Sequence, residues 1–133
     1  MSQTKIRAAL ETALAGIAPP IDTANQNFAF TPVTGQPYQA PYLLPAEPNN
    51  WSLGDGSRQE RGIFQINLQY PPGQGPGVAC ARAELIQALF HRGASFTKDW
   101  VTVQIERTAE IGEGREDNGR WMLPVRIRWF CNL

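Results

Sequence analysis

Between Phe64 and Tyr70 the chain reads FQINLQY and then stops at Pro71, Pro72 and Gly73. Side chains of a strand alternate faces with period two, so Phe64, Ile66, Leu68 and Tyr70 fall on one side and Gln65, Asn67 and Gln69 on the other. This alternation demands a sheet with one dry face and one face of neutral amides. None of those amides titrates near neutral pH, so the outer face suits water or a protein contact better than acid-base chemistry. Residues 119–130 repeat the pattern, with Trp121, Leu123, Val125, Ile127 and Trp129 inward and Arg120, Arg126 and Arg128 outward. Residues 100–106 form a third such strand, with Val101, Val103 and Ile105 opposed to Thr102, Gln104 and Glu106.

Helical periodicity marks two further segments. Ile6, Ala9, Leu10, Ala13, Leu14 and Ile17 recur at steps of three and four, an amphipathic stripe that ends at Gly16 and the Pro19-Pro20 pair. Residues 79–92 give a second helix whose apolar face is expected from Ala81, Leu85, Ile86, Ala88, Leu89 and Phe90, with Gly93 as its left-handed cap. Residues 22–31 alternate as a short strand. From residue 34 to 48 four prolines exclude a central strand, leaving an edge strand around residues 42–46 or an extended arm. Residues 49–60, NNWSLGDGSRQE, form a long loop, and Trp51 within it either folds back onto its own domain or serves a partner.

The material for catalysis is thin. His91 is the single histidine, so neither a hydrolase triad nor a multi-histidine metal site can be assembled. Glu110, Glu113, Glu116 and Asp117 gather within residues 108–118, a charged turn with a possible short strand at 109–112, where carboxylates serve solubility. The run PPGQGPG lacks the lysine and hydroxyl of a phosphate loop and is expected to be a turn into the second helix. Cys80 and Cys131 have neither disulfide nor zinc spacing and are expected as two buried thiols. No catalytic, metal or cofactor site is assigned. Twelve basic and twelve acidic residues cancel, so composition offers no bulk attraction to nucleic acid or to an anionic membrane. Lys5, Arg7, Glu11 and Thr12 break any signal-like or spanning run near the start, which suggests a cytosolic chain.

At 133 residues the chain is the size of one domain, residues 1–133. The order of elements implies an α+β fold, a two-layer sandwich in which a mixed β-sheet of four to five strands carries two α-helices on one face. The helix between the strands at residues 63 and 101 allows a right-handed crossover. The other sheet face would present Gln65, Asn67, Gln69, Thr102, Gln104, Arg126 and Arg128 to solvent or to another copy of the chain.

LLPAEPNN, then GSRQERGIFQINLQYPPGQGPG, then AELIQALFHRGASF and finally GRWMLPVRIRW together resemble the small tail terminator-like proteins of long-tailed bacteriophages and prophages, relatives of the lambda-type minor tail protein U. The resemblance runs from the first helix to the last strand and lies in the order and spacing of these segments. It implies a structural virion protein, not an enzyme, that caps the tail tube as a six-subunit ring and offers a surface for joining the head. It would be assembled in the bacterial host cytoplasm and reside in the virion tail. Its partners would be further copies of itself, the tail tube protein and a head-completion or connector protein, with no membrane, sequence-specific nucleic acid or cofactor. Another head- or tail-completion protein of the same particle is the alternative. The resemblance also implies that residues 49–60 order at the subunit contact, with Trp51, Asp55, Arg58 and Glu60 as anchors. Arg115, Arg120, Arg126 and Arg128 are further candidates for subunit or tube contacts.

Overall fold

The computed structural model describes residues 2–26, 29–46, 59–73 and 76–132. In chain order they form α1 (Ser2–Ala15), β1 (Asp22–Thr23), β2 (Tyr38–Pro45), β3 (Gln59–Tyr70), α2 (Gly77–Leu89), β4 (Ser95–Lys98), β5 (Val101–Ile105), β6 (Glu110–Ile111), β7 (Arg115–Asp117) and β8 (Arg120–Asn132). The fold is α+β, as the alternating and helical patterns require. The sheet is one curled surface of eight described strands, where four to five were expected, in the order β1-β2-β3-β8-β5-β4. The extra strands are short. β6 and β7 pair with the long β8 on the edge where β5 also pairs, and β4 folds back on β5.

β3 and β8 are the spine. They pair antiparallel over their full lengths, Phe64 opposite Ile127, Ile66 opposite Val125 and Leu68 opposite Leu123. Opposed residues share a face, so the two alternating patterns merge into one inner face. Ile6, Ala9, Leu10 and Leu14 of α1 and Ala79, Ala83 and Ile86 of α2 close the same core cluster over that face. Among the described residues only the β1–β2 pair is parallel. β3 and β5 do run in the same direction across α2, as the crossover expectation requires, but the antiparallel β8 lies between them.

The proline-rich edge follows from hydrogen-bond parity. In β2 the amide of Leu43 points away from β3 and donates to Gln26 Oε1 at 3.2 Å. Pro41 and Pro45 share its parity, so the donors they lack would also have faced the outer edge. The ladder to β3 is thereby intact and runs from Tyr38 to Pro45, longer than the edge strand expected around residues 42–46. The strand expected over residues 22–31 shrinks to Asp22–Thr23, where it meets Tyr38 and Gln39.

α2 is rotated from the expected orientation. Its buried residues are Ala79, Arg82, Ala83 and Ile86, while Ala81 and Ala88 are exposed and Leu85 is 44% exposed. Two apolar stripes compete along this helix, and an arginine embedded in the true one makes it look polar. Arg82 is buried and its guanidinium donates to the Pro19 carbonyl, tying α2 to the segment after α1. The helix also ends earlier than expected, with Phe90 as its C-cap. Gly93, at φ 87°, serves the following turn instead, donating to the Ile105 carbonyl at 3.0 Å.

Two tight hairpins complete the sheet. Asn118 and Gly119, at φ 50° and 78°, join β7 to β8, the pairing of residues that a two-residue primed turn favours. Asp99 and Trp100, at φ 48° and 70°, join β4 to β5. Left-handed backbone at an ordinary L residue costs roughly 1–2 kcal/mol, and an aromatic side chain does nothing to offset it there. Trp100 was expected to open a strand; it is instead the tip of a hairpin, 100% exposed.

Candidate functional site

Of the polar residues expected on the outer sheet face, Gln65, Asn67 and Arg126 share one groove, whereas Gln69 is buried and donates to Asp117 Oδ2 at 3.0 Å. Gln65 Nε2 donates to Asn67 Oδ1 at 2.9 Å along β3. These amides, with Arg115, Arg126, Glu113, Gly114, Met122 and Pro124, line an open groove of about 450 Å³. Arg126 meets Glu110 at 3.5 Å, both largely exposed, and Arg128 is exposed beside it. An exposed pair of this kind contributes about 0–1 kcal/mol, so these cations remain available to a partner. A wet, mixed-charge groove is ordinary material for a protein contact.

Arg120 is engaged within the subunit. Its guanidinium donates to the carbonyls of Gln36 and Val33 at 2.8 and 3.0 Å and lies 5.0 Å from the centre of the Tyr38 ring. It fastens residues 33–36 to the start of β8. Glu60 belongs to β3, opposite Cys131, and is 7% exposed. The strand therefore begins earlier than the loop expected over residues 49–60 allowed. Trp51, Asp55 and Arg58 lie outside the described residues.

A second cleft opens at the other end of the spine. Pro71, Pro72, Gly73 and Pro76 from the β3–α2 connection face Glu116, Gly119, Arg120 and Trp121 across about 340 Å³. The double proline that stops β3 is thus also one wall of a largely apolar recess. Trp121 packs against Gly114, where even a methyl group would collide with the indole.

Proton affinities shift on the core side of the sheet. Burial pushes the Tyr70 hydroxyl up, an effect that the positive charge of Arg82 partly offsets, and burial pulls the Arg82 guanidinium down. Burial also pushes the Cys131 thiol up, and the Glu60 carboxylate adds to it. Arg82 ties α2 to Pro19, and neither it nor Tyr70 lines any of the described clefts. Among the described residues no cluster of histidine, cysteine and carboxylates could hold a metal ion, and no helix is long and apolar enough to cross a membrane.

Sequence reasoning missed Trp100 and the proline-lined cleft. The signal for the first was present in Ser95, Phe96 and Thr97, whose alternation precedes Asp99 and mirrors the strand after it. The cleft had no local signal, because its two walls are some 45 residues apart and meet only when β3 pairs with β8.

Fold and surface together define an α+β protein whose distinguishing features are clefts and an exposed aromatic tip. The chain belongs to the phage tail terminator family, whose model matches residues 5–129. That family is structural rather than enzymatic, which makes this a phage tail component. A solved structure that is 28% identical matches 100% of this chain and 97% of its own, with a TM-score of 0.81. No curated protein sequence matches significantly.

Proposed function

We propose that this protein ends tail assembly by closing as a ring, a hexamer, on the finished tail tube, and that the exposed side of that ring receives the head. The observation that carries the reading is the family match across nearly the whole domain, residues 5–129. Surface chemistry supports it. A closed ring needs two complementary patches on different sides of each subunit and no reacting groups, and the subunit offers an apolar cleft and, apart from it, an exposed aromatic tip. Arg115, Arg126 and Arg128 on the groove side supply contacts to the tube or to the next subunit. Trp51, Asp55 and Arg58 are the proposed anchors toward the neighbouring subunit, while Glu60, buried in β3, belongs to the subunit's own sheet. The head-completion or connector protein is the proposed partner above the ring.

Negative-stain electron microscopy of the purified chain with and without tail tubes tests this. Rings at tube ends, and tubes that stop elongating when the protein is added, are expected. Tubes that elongate unchanged, with the protein remaining free, would overturn the proposal.

A further inference from the structure

The ring reading leaves open which surfaces of neighbouring subunits meet, and the geometry points to a specific pair: the Trp100 indole of one copy seats in the cleft between Pro71, Pro72, Pro76 and Trp121 of the next. The inference rests on the ring-forming reading above. Three observations carry it.

The first is Trp100 itself. A single exposed aliphatic residue needs no explanation, but Trp100 is 100% exposed on a two-residue turn with φ 70°. Strained backbone that presents a side chain is found where the side chain has work to do. Nothing in its own subunit shields the indole.

The second is the recess. Proline rings and the Trp121 indole offer flat apolar walls around about 340 Å³, room for one aromatic side chain. Tryptophan is among the residues enriched at the buried anchor points of protein interfaces. Lys98 flanks the tip and the exposed Glu116 lines the cleft, an opposite-charge pair at its rim, while Arg120 there is engaged within its own subunit.

The third is placement. β5 runs antiparallel to β8, with Gln104 opposite Phe130 and Ile105 opposite Trp129. Its first residue therefore lies at the carboxyl end of β8, while the cleft lies at the amino end, at Gly119–Trp121. At about 3.4 Å per residue the two are on the order of 35 Å apart before the sheet curls. A subunit cannot fill its own cleft with its own tip. Knob and socket at opposite ends of one chain are what a head-to-tail contact requires, and such a contact closes a ring when the rotation it imposes between neighbours closes.

Two variants of the full chain test the inference. Trp100→Gly restores the residue that the turn prefers, so the isolated chain should melt at the same temperature or higher, while rings on tail tubes should fall at least tenfold. In a Cys80→Ser background, a chain carrying Lys98→Cys and Glu116→Cys, which keeps the Trp100 knob and the proline and Trp121 walls, should give, with a short bis-maleimide, a ladder ending at a closed oligomer. A mixture of chains carrying one of these cysteines each should stop at the dimer. If wild-type rings form on tubes while Trp100→Gly rings equally well, or while the cysteine pair stays unlinked, the contact is refuted and the capping role stands. If the wild-type chain forms no rings under any condition, both fail together.

Discussion

Gly62 is where the spine tolerates least. A β-carbon there would lie 2.5 Å from the Leu44 carbonyl oxygen, 2.9 Å from the Pro45 α-carbon and 2.9 Å from Trp129 Cζ2. Two of those three atoms belong to the β2 backbone, which is fixed by its ladder to β3, so a methyl cannot be absorbed by a side-chain rotation. Overpacking of this kind costs about 1–3 kcal/mol, and the backbone clash places Gly62→Ala near the upper end. Alanine's lower unfolded-state entropy returns about 0.4–1 kcal/mol, leaving a net loss of about 2 kcal/mol. Near 2.1 cal/mol/K per residue, 133 residues unfold with about 0.28 kcal/mol/K. The melting temperature should therefore drop by about 7 °C. Gly77→Ala is the control. It opens α2, a β-carbon there meets nothing within 4 Å, and the better helix former should leave stability unchanged or raise it by up to about 1 kcal/mol, roughly 4 °C in the midpoint. Calorimetry or circular dichroism of the two variants decides the matter. A Gly62→Ala midpoint within about 2 °C of wild type would refute the packing of Trp129 and β2 around this glycine.

Gly114→Ala should displace the Trp121 indole, lower the melting temperature by several degrees and weaken ring formation beyond what the stability loss explains, read by electron microscopy at a temperature where the variant is folded. Arg82→Ala removes a buried, charged hydrogen-bond donor to Pro19 and should cost about 1.5–3 kcal/mol in denaturant unfolding, whereas Arg82→Lys should recover part of it. The raised Cys131 and Tyr70 pKa values stabilise the folded chain fully below the ordinary pKa values of these groups and progressively less as pH climbs through the folded ones. The melting temperature should therefore begin to fall above about pH 8.5 for the thiol and above about pH 10 for the phenol, and Cys131→Ala should remove the earlier fall. In the native chain, Cys80 should react with a thiol reagent while buried Cys131 should not.

The spine was legible because period-two patterning survives whatever surrounds it: Phe64 to Tyr70 and Trp121 to Trp129 announce their inner faces residue by residue, and both proved to be core. α1 was legible for the same reason. α2 was legible in part. Ile86 and Phe90 of the expected face are core and Leu89 packs on it, but the small Ala79 and Ala83 beside them are crossed by Arg82, so periodicity also drew in Ala81, Leu85 and Ala88, which face solvent. β4 and β7 were hidden by their length of three to four residues, where pairing with a long neighbour decides the structure and local preference decides little, whereas β6 falls within the short strand that residues 109–112 allowed. The outer arginines were legible as a stripe, but not their division of labour: Arg120 serves its own subunit and Arg126 and Arg128 remain on the surface.

That division separates folding from assembly. The core lies between the helices and the inner face, and the buried groups Tyr70, Arg82 and Cys131 belong to that side. The groove of Gln65, Asn67, Arg115 and Arg126 lies on the opposite face, while the Trp100 tip and the proline cleft lie at the two ends of the spine. Residues that share no partner contribute to stability additively. Trp100→Gly and Gly62→Ala should therefore combine without coupling in thermal unfolding. Gly114→Ala touches both systems, because the same indole closes the core edge at Tyr70 and walls the cleft. Trp121 is where the stability of the subunit and the shape of its docking surface are set by one side chain.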